Sequence, residues 1–249
     1  MRAIPQVACS NNANTDGILG IIYYDGEPAT PTTTGYSYVD ACVDESVTSL
    51  VPHVAIDAAE PHWTDLEDVN TLSVSNVFLW ALNGTSFYSD WENPTLLQIY
   101  NNSTNYTADS HVIQLDEADQ WVYIIIQAEN AVSHPIHLHG HDFFILGQGA
   151  GTYNSTDLLS LTNPARRDVA MLVGSGYLVL AFKTDNPGAW LMHCHIGWHT
   201  NSGLALQFVE QPTVARDLID YSFLNSTCSR WSSFAAQSLV EQGVYDDGV

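Results

Sequence analysis

The chain has 249 residues, 28 of them acidic and 6 basic, for a formal net charge of −22. A single lysine, Lys183, and five arginines cannot neutralise a run of phosphates, which argues against nucleic-acid binding. A hydrophobic share of 45% with 11% aromatics sets the chain apart from disordered acidic tails, and no apolar run approaches the ~18 residues of a membrane-spanning helix.

In chain order, residues 15–24 (TDGILGIIYY) predict a turn followed by a buried strand, and residues 25–35 (DGEPATPTTTG) predict a linker. Residues 40–68 carry Asp40, Asp44, Glu45, Asp57, Glu60, Asp65, Glu67 and Asp68 and predict a solvated acidic surface. From residue 70 the pattern changes to short strands: Thr71–Ala81, His111–Leu115, Trp121–Ala128, Asp142–Gly147, Asp168–Val173, Tyr177–Lys183, Gly188–His193 and Leu204–Glu210. Turn signals such as Asn83-Gly84, Asn93-Pro94 and Gly174–Gly176 punctuate them. This is the pattern of an all-β sandwich or Greek-key barrel. Residues 213–240 lack alternation and predict short helices.

Six N-glycosylation sequons begin at Asn83, Asn101, Asn102, Asn105, Asn154 and Asn225, and together with the acidity they point to an extracellular protein. Met1–Pro5 has a basic start with no apolar stretch after it, so the export signal is absent from this sequence. The expectation is a chain cut short or exported as part of something larger. Of the four cysteines, Cys9 and Cys42 flank a strand-like segment and could pair. Cys194 lies between two histidines, which points to metal, and Cys228 is left over.

Seven of the ten histidines fall in two windows, 134–141 (HPIHLHGH) and 193–199 (HCHIGWH). In a strand, side chains alternate between faces. His193 and His195 therefore share one face and Cys194 takes the other, while His137 and His139 share a face of their own. One strand can thus serve two metal sites: four imidazoles from two His-x-His pairs at one, and Cys194 with His134 and His199 at the other. A His₂Cys set is the composition of blue-copper electron-transfer sites, although zinc also accepts such ligands. Leu204 stands where an axial methionine donor would be expected and cannot donate, which should favour Cu(I) and raise the potential. The run His193–Cys194–His195 wires a one-electron site to a multi-histidine site, an arrangement suited to oxygen reduction.

At HPIHLHGH and HCHIGWHTNSGL the sequence resembles the two C-terminal copper signatures of multicopper oxidases. The flanking segments RAIPQVAC, GILGIIYY, ALNGTSF, WVYIIIQ, NPARRDV and FKTDNPGAWLMHCHIGWH are similar to those of ascomycete-type fungal laccases. The resemblance implies a cupredoxin-like Greek-key β-barrel over residues 46–212, preceded by a remnant of the second cupredoxin domain plus linker (1–45) and followed by a short helical tail (213–249). It implies His134, Cys194 and His199 as type 1 copper ligands with Leu204 axial, His137 as a type 2 ligand, and His139, His193 and His195 as type 3 ligands. Cys194, His193 and His195 would form the electron relay. His141 matches a histidine that does not bind copper. Cys9–Cys42 would be a disulfide of the second domain, Cys228 would pair with the absent first domain, and Tyr245–Val249 resembles a C-terminal plug of the solvent channel.

The family's trinuclear cluster needs eight histidines, four from N-terminal motifs that are not in this sequence. His53, His62 and His111 have no ligand-like spacing and read as structural or surface residues. The expectation is the C-terminal part of a secreted laccase, holding the full type 1 site and half of the trinuclear site. Met1 would then be either an internal methionine or the start of a split gene. The partners implied are phenolic small molecules, dioxygen and the N-terminal cupredoxin domains, in the same or a separate chain. The alternatives are a non-enzymatic blue-copper electron carrier, an inactive fragment, or a cupin-like reading of HPIHLHGH that would leave HCHIGWH without a purpose.

Overall fold

The computed structural model describes residues 1–9, 11, 13–26, 29–103 and 105–237. The Tyr245–Val249 segment lies outside them. The chain divides into two compact units, Met1–Leu50 and a second unit beginning at Val51.

In the first unit, β1 (Arg2–Ala3) pairs antiparallel with β2 (Ile18–Leu19), and Cys9 is disulfide-bonded to Cys42 with their Cα atoms 4.8 Å apart. The buried strand expected over residues 15–24 is not found. Only Ile18 and Leu19 are strand, and Ile18, Leu19, Ile21, Ile22, Tyr23 and Tyr24 are all exposed. A two-residue ribbon has no second layer of its own to cover such a run.

The second unit is built from two sheets. The six-stranded sheet has the order β4-β3-β6-β11-β8-β9, from β3 (Trp63–Val74), β4 (Val77–Leu82), β6 (Trp121–Ala128), β8 (Phe143–Ala150), β9 (Arg166–Arg167) and β11 (Gly176–Lys183). The five-stranded sheet has the order β10-β7-β12-β13-β5, from β5 (Val112–Leu115), β7 (His134–Leu138), β10 (Val169–Leu172), β12 (Gly188–Cys194) and β13 (Ala205–Glu210). The pairs β3–β6 and β13–β5 are parallel and the remaining pairs antiparallel, so the two sheets are mixed but mainly antiparallel.

Three sequence expectations change here. The single strand expected over Thr71–Ala81 is a hairpin. Val74 pairs with Val77 across Ser75-Asn76, both with positive φ (51° and 67°), the conformation of a tight two-residue turn. Glu67 belongs not to the solvated acidic surface but to the interior, 1% exposed. His134–Leu138, which periodicity leaves unassigned, is a strand.

The core lies between the sheets. Phe182 of β11 meets Phe208 of β13 with ring centroids 4.9 Å apart, and Ile124, Ile126, Leu138, Leu178, Leu180 and Met192 are fully buried. Each such side chain stabilises the fold by about 1.5–3 kcal/mol. The outer face of the six-stranded sheet carries a second cluster of Ala58, Tyr123, Ile125, Phe144, Leu146, Val179 and Ala181. This explains why Trp121–Ala128 reads as a continuous apolar run rather than an alternating one: both of its faces are covered.

The outer face of the five-stranded sheet is covered only in part. Ile99 of α1 (Thr95–Tyr100) and Ala215 of α3 (Pro212–Leu218) pack on Val209, beside Val112 and Ala189. Helix α4 (Tyr221–Ala235) follows, and its N-cap Asp220 accepts from the Phe223 backbone N–H. All six sequon asparagines are exposed, but the Asn83 amide is tied down, accepting from the Asp68 N–H and donating to the Leu66 carbonyl at 2.9 Å each.

Candidate metal centre

Strands β7 and β12 are neighbours, with His193 opposite His137, Cys194 opposite Ile136 and Met192 opposite Leu138. Alternation does the rest. Met192 and Cys194 face the inter-sheet core with Ile136 and Leu138, and His137 and His193 face the other way.

The buried side gathers three donors. His134 at the start of β7 and Cys194 at the end of β12 are each 0% exposed. His199 comes from the five-residue helix α2 (Gly197–Asn201). The Nδ1 atoms of His134 and His199 are 3.1 Å apart, and Cys194 Sγ lies 3.7 Å and 3.6 Å from them. Burial pushes His134 down to about 4, with the adjacent His199 adding to the shift, and it also lowers His199. Burial pushes the Cys194 thiol up to about 11, against a smaller opposing effect of the Ile196 N–H. Two imidazoles held neutral by burial thus turn their Nδ1 atoms towards a buried thiol that would ionise only beside a cation, and this donor set fits a soft transition metal.

Helix α2 is held in place from behind. The Trp80 N–H donates to the Ser202 carbonyl at 2.7 Å, the Leu204 N–H to the His199 carbonyl at 2.9 Å, and the Cys194 N–H to the Leu204 carbonyl at 3.1 Å. Gly203 makes the close approach possible: its φ is +98°, and a Cβ there would fall 2.0 Å from Ser86 Oγ. Leu204, 1% exposed, is backbone-bonded to both Cys194 and His199.

The opposite face presents four imidazoles. His137, His139 and His193 offer ring nitrogens that all lie within 4.8 Å of one another. His139 Nε2 is 3.1 Å from His193 Nε2, and His195 stacks on His193 with centroids 5.7 Å apart. Two of the Nδ1 atoms are occupied: His137 Nδ1 donates to the Asp168 carbonyl (2.6 Å) and His193 Nδ1 to the Cys194 carbonyl (3.0 Å). Each bond fixes a tautomer that leaves Nε2 free as a ligand atom. Burial lowers His139, with His137 and His195 contributing, and burial likewise lowers His193. The Thr200 hydroxyl of α2 donates to the same Cys194 carbonyl, so this one oxygen joins helix, strand and both donor groups.

The other histidines stand apart. His53 and His62 are exposed, His62 lying 3.8 Å from Glu117. His111 is 3.5 Å from the buried Glu67. His141 Nε2 bonds Glu210 Oε1 at 2.6 Å, where Glu210 is 0% exposed. It comes two residues after His139, past Gly140, whose φ of +74° and a missing Cβ make room for the Trp190 ring.

The sequence reading passes over the aromatic surroundings. Trp80 packs on His134 and His199 with centroids 4.9 Å and 4.6 Å away, and the exposed Phe78 packs edge-on against Trp80 at 5.4 Å. Their signal is the two-residue spacing in VFLWAL, which puts both on one face of β4. The contribution of Asp168 is a backbone carbonyl, which no side-chain pattern can reveal.

A buried cysteine between two imidazoles, backed through one strand by a four-histidine face, is a donor arrangement that could hold transition-metal ions. The multicopper oxidase family profile matches residues 83–214, just over half of the chain. The chain is 39% identical over 97% of its length to Laccase-2 of Botryotinia fuckeliana, and 43% identical over 94% to Oxidoreductase OpS5 of Beauveria bassiana, covering 42% and 41% of those proteins. The crystal structure of a laccase from Botrytis aclada superposes with a TM-score of 0.80 at 39% identity, over 98% of this chain and 46% of that one. The chain belongs to the multicopper oxidase family, and its second unit is an all-β cupredoxin domain of that family. It spans less than half the length of these relatives.

Proposed function

We propose that this chain is the C-terminal part of a laccase-type oxidoreductase that takes single electrons from phenolic molecules and passes them to dioxygen. The observation that carries this reading is the pairing of two donor groups on opposite faces of one strand, with Cys194 on one side and His193 on the other. Copper, which family membership implies, would supply one-electron redox chemistry at the buried group and dioxygen reduction at the histidine face. His134, Cys194 and His199 would hold the type 1 ion, with Leu204 at the axial position giving no donor. His137 would serve type 2, and His139, His193 and His195 type 3. The N-terminal cupredoxin domains would complete that cluster. In this reading residues 1–45 belong to the second domain, 46–212 to the third and 213–249 to the tail, and the protein works outside the cell as a glycoprotein.

The residues then divide the work. Trp80 shields His134 and His199 from water. His199, the less buried imidazole, would meet the reducing substrate beside the exposed Phe78 and Trp198. The Asp168 and Cys194 carbonyls hold protons on the Nδ1 atoms of His137 and His193, keeping Nε2 of each available.

Copper reconstitution tests the reading. Blue absorption is expected from the native chain and not from Cys194→Ser; a blue band that survives this substitution overturns the type 1 assignment. Adding the N-terminal half should bring oxygen uptake. A chain that stays blue without uptake would be an electron carrier, a reading favoured by the three donors that the buried group gathers from this chain alone.

A further inference from the structure

We infer that Asn130 is a positioning residue which selects the metal-binding nitrogen of His134. The inference rests on the reading of His134 as a copper ligand. His134 is fully buried, and its imidazole has two different sides. Nδ1 faces Cys194 Sγ and His199 Nδ1. Nε2 points the other way, where Asn130 Oδ1 lies 3.5 Å off. A neutral imidazole carries one proton, and the ring nitrogen that meets an acceptor keeps it. An oxygen beyond Nε2 therefore leaves the Nδ1 lone pair directed into the donor triangle.

The amide can play this part only if its oxygen, not its nitrogen, faces the ring, and the surrounding backbone decides that. Oδ1 also accepts from the Val132 N–H at 3.0 Å, which an NH₂ group could not do. The backbone carbonyl of Asn130 accepts from the Ser175 N–H at 2.7 Å and anchors the residue to the neighbouring loop. Asn130 sits just past β6 and four residues before His134, outside both histidine windows. It is thus a fixed acceptor built into the turn that leads to the first ligand, in the way outer partners of ligating histidines fix the tautomer and raise ligand basicity. Without it, the Nε2 proton would lose its acceptor, and the Nδ1–H form, with its proton in the space the metal needs, would gain population.

The test begins in the metal-free chain with ¹⁵N-histidine NMR, which reads the tautomer directly. The native chain should show His134 as the Nε2–H form. In Asn130→Ala the Nδ1–H form should appear, and copper affinity at this site should fall about 10- to 100-fold. Asn130→Asp keeps the acceptor and the turn, adds negative charge behind the ring, and should hold Nε2–H while lowering the potential of the blue centre. A native His134 in the Nδ1–H form overturns the proposal, as does a purely Nε2–H ring in Asn130→Ala or an unchanged potential in Asn130→Asp. Failure of the copper reading would appear instead as a native chain with no blue absorption, whatever the tautomer.

Discussion

Replacing His141 with leucine should unsettle the fold without touching the metal. The imidazole sits on Phe182 with centroids 4.8 Å apart, and its Nε2 is 2.6 Å from Glu210 Oε1. Glu210 is wholly buried on the core-facing side of β13, and its Oε2 finds no partner among the described residues. The His141 contact is therefore the satisfaction this carboxyl relies on. Removing it strands the group in the core, at a cost of about 3–5 kcal/mol for a buried charge and about 1–3 kcal/mol if the carboxyl is neutral. Asp185, 4.0 Å from the other ring nitrogen and largely exposed, adds little. Against a total stability of about 5–15 kcal/mol, such a loss is readily measured. Urea unfolding followed by circular dichroism should show a lower midpoint at unchanged slope. The pair His141→Leu with Glu210→Leu should recover most of the loss, because an apolar pair of similar volume leaves nothing unsatisfied. A single-variant loss under about 1 kcal/mol, or a coupling energy near zero in the double-mutant cycle, would refute the account. Copper loading of His141→Leu should match that of the native chain, separating this histidine from the three that precede it in HPIHLHGH.

Acid should destabilise the metal-free chain. His134 is held near 4 when folded and takes up protons at its ordinary value when unfolded, so the unfolded state binds more protons as pH falls from about 6.5 to 4. The loss reaches about 3 kcal/mol, and His134→Phe should flatten this part of the urea-midpoint profile; an equally steep profile would count against it. Thr200→Val removes a hydroxyl from the Cys194 carbonyl and should cost about 1 kcal/mol in chemical denaturation, with Thr200→Ser restoring it. Gly203→Ala, which sets a methyl against Ser86 Oγ at a positive φ, should lower the melting temperature and the copper content together; retention of both would show that the α2 loop has room to spare.

The grouping of the candidate metal-binding residues is more legible in the sequence than the scaffold around them. Period-two alternation over a short His-Cys-His run is enough to assign faces, because the pleat allows only one answer. The same reasoning extended Thr71–Ala81 through Ser75-Asn76, because apolar spacing gives no sign of two residues in left-handed conformation. It also groups Glu67 with the acidic residues of a solvated surface, although a partner 44 residues on, His111, sits beside it. Burial of a charged side chain depends on such distant partners, and local composition is blind to them. Thr200 and Trp80 escape it for a related reason, since each acts through a contact that exists only once β4, β7, β12 and α2 have come together, whereas Asn130 acts through a local turn that no motif marks.

The opposition of His137 and His193 across β7 and β12 makes metal loading a gauge of strand alignment. A slip of one residue in either strand would send its histidine into the hydrocarbon interior, and a slip in β12 would turn the thiol outward, so both donor groups would be lost at once. A loaded chain is therefore a correctly registered one. If the buried group holds a type 1 copper as proposed, variants altered in the distant hairpins of the unit should reveal misalignment as a loss of blue absorption.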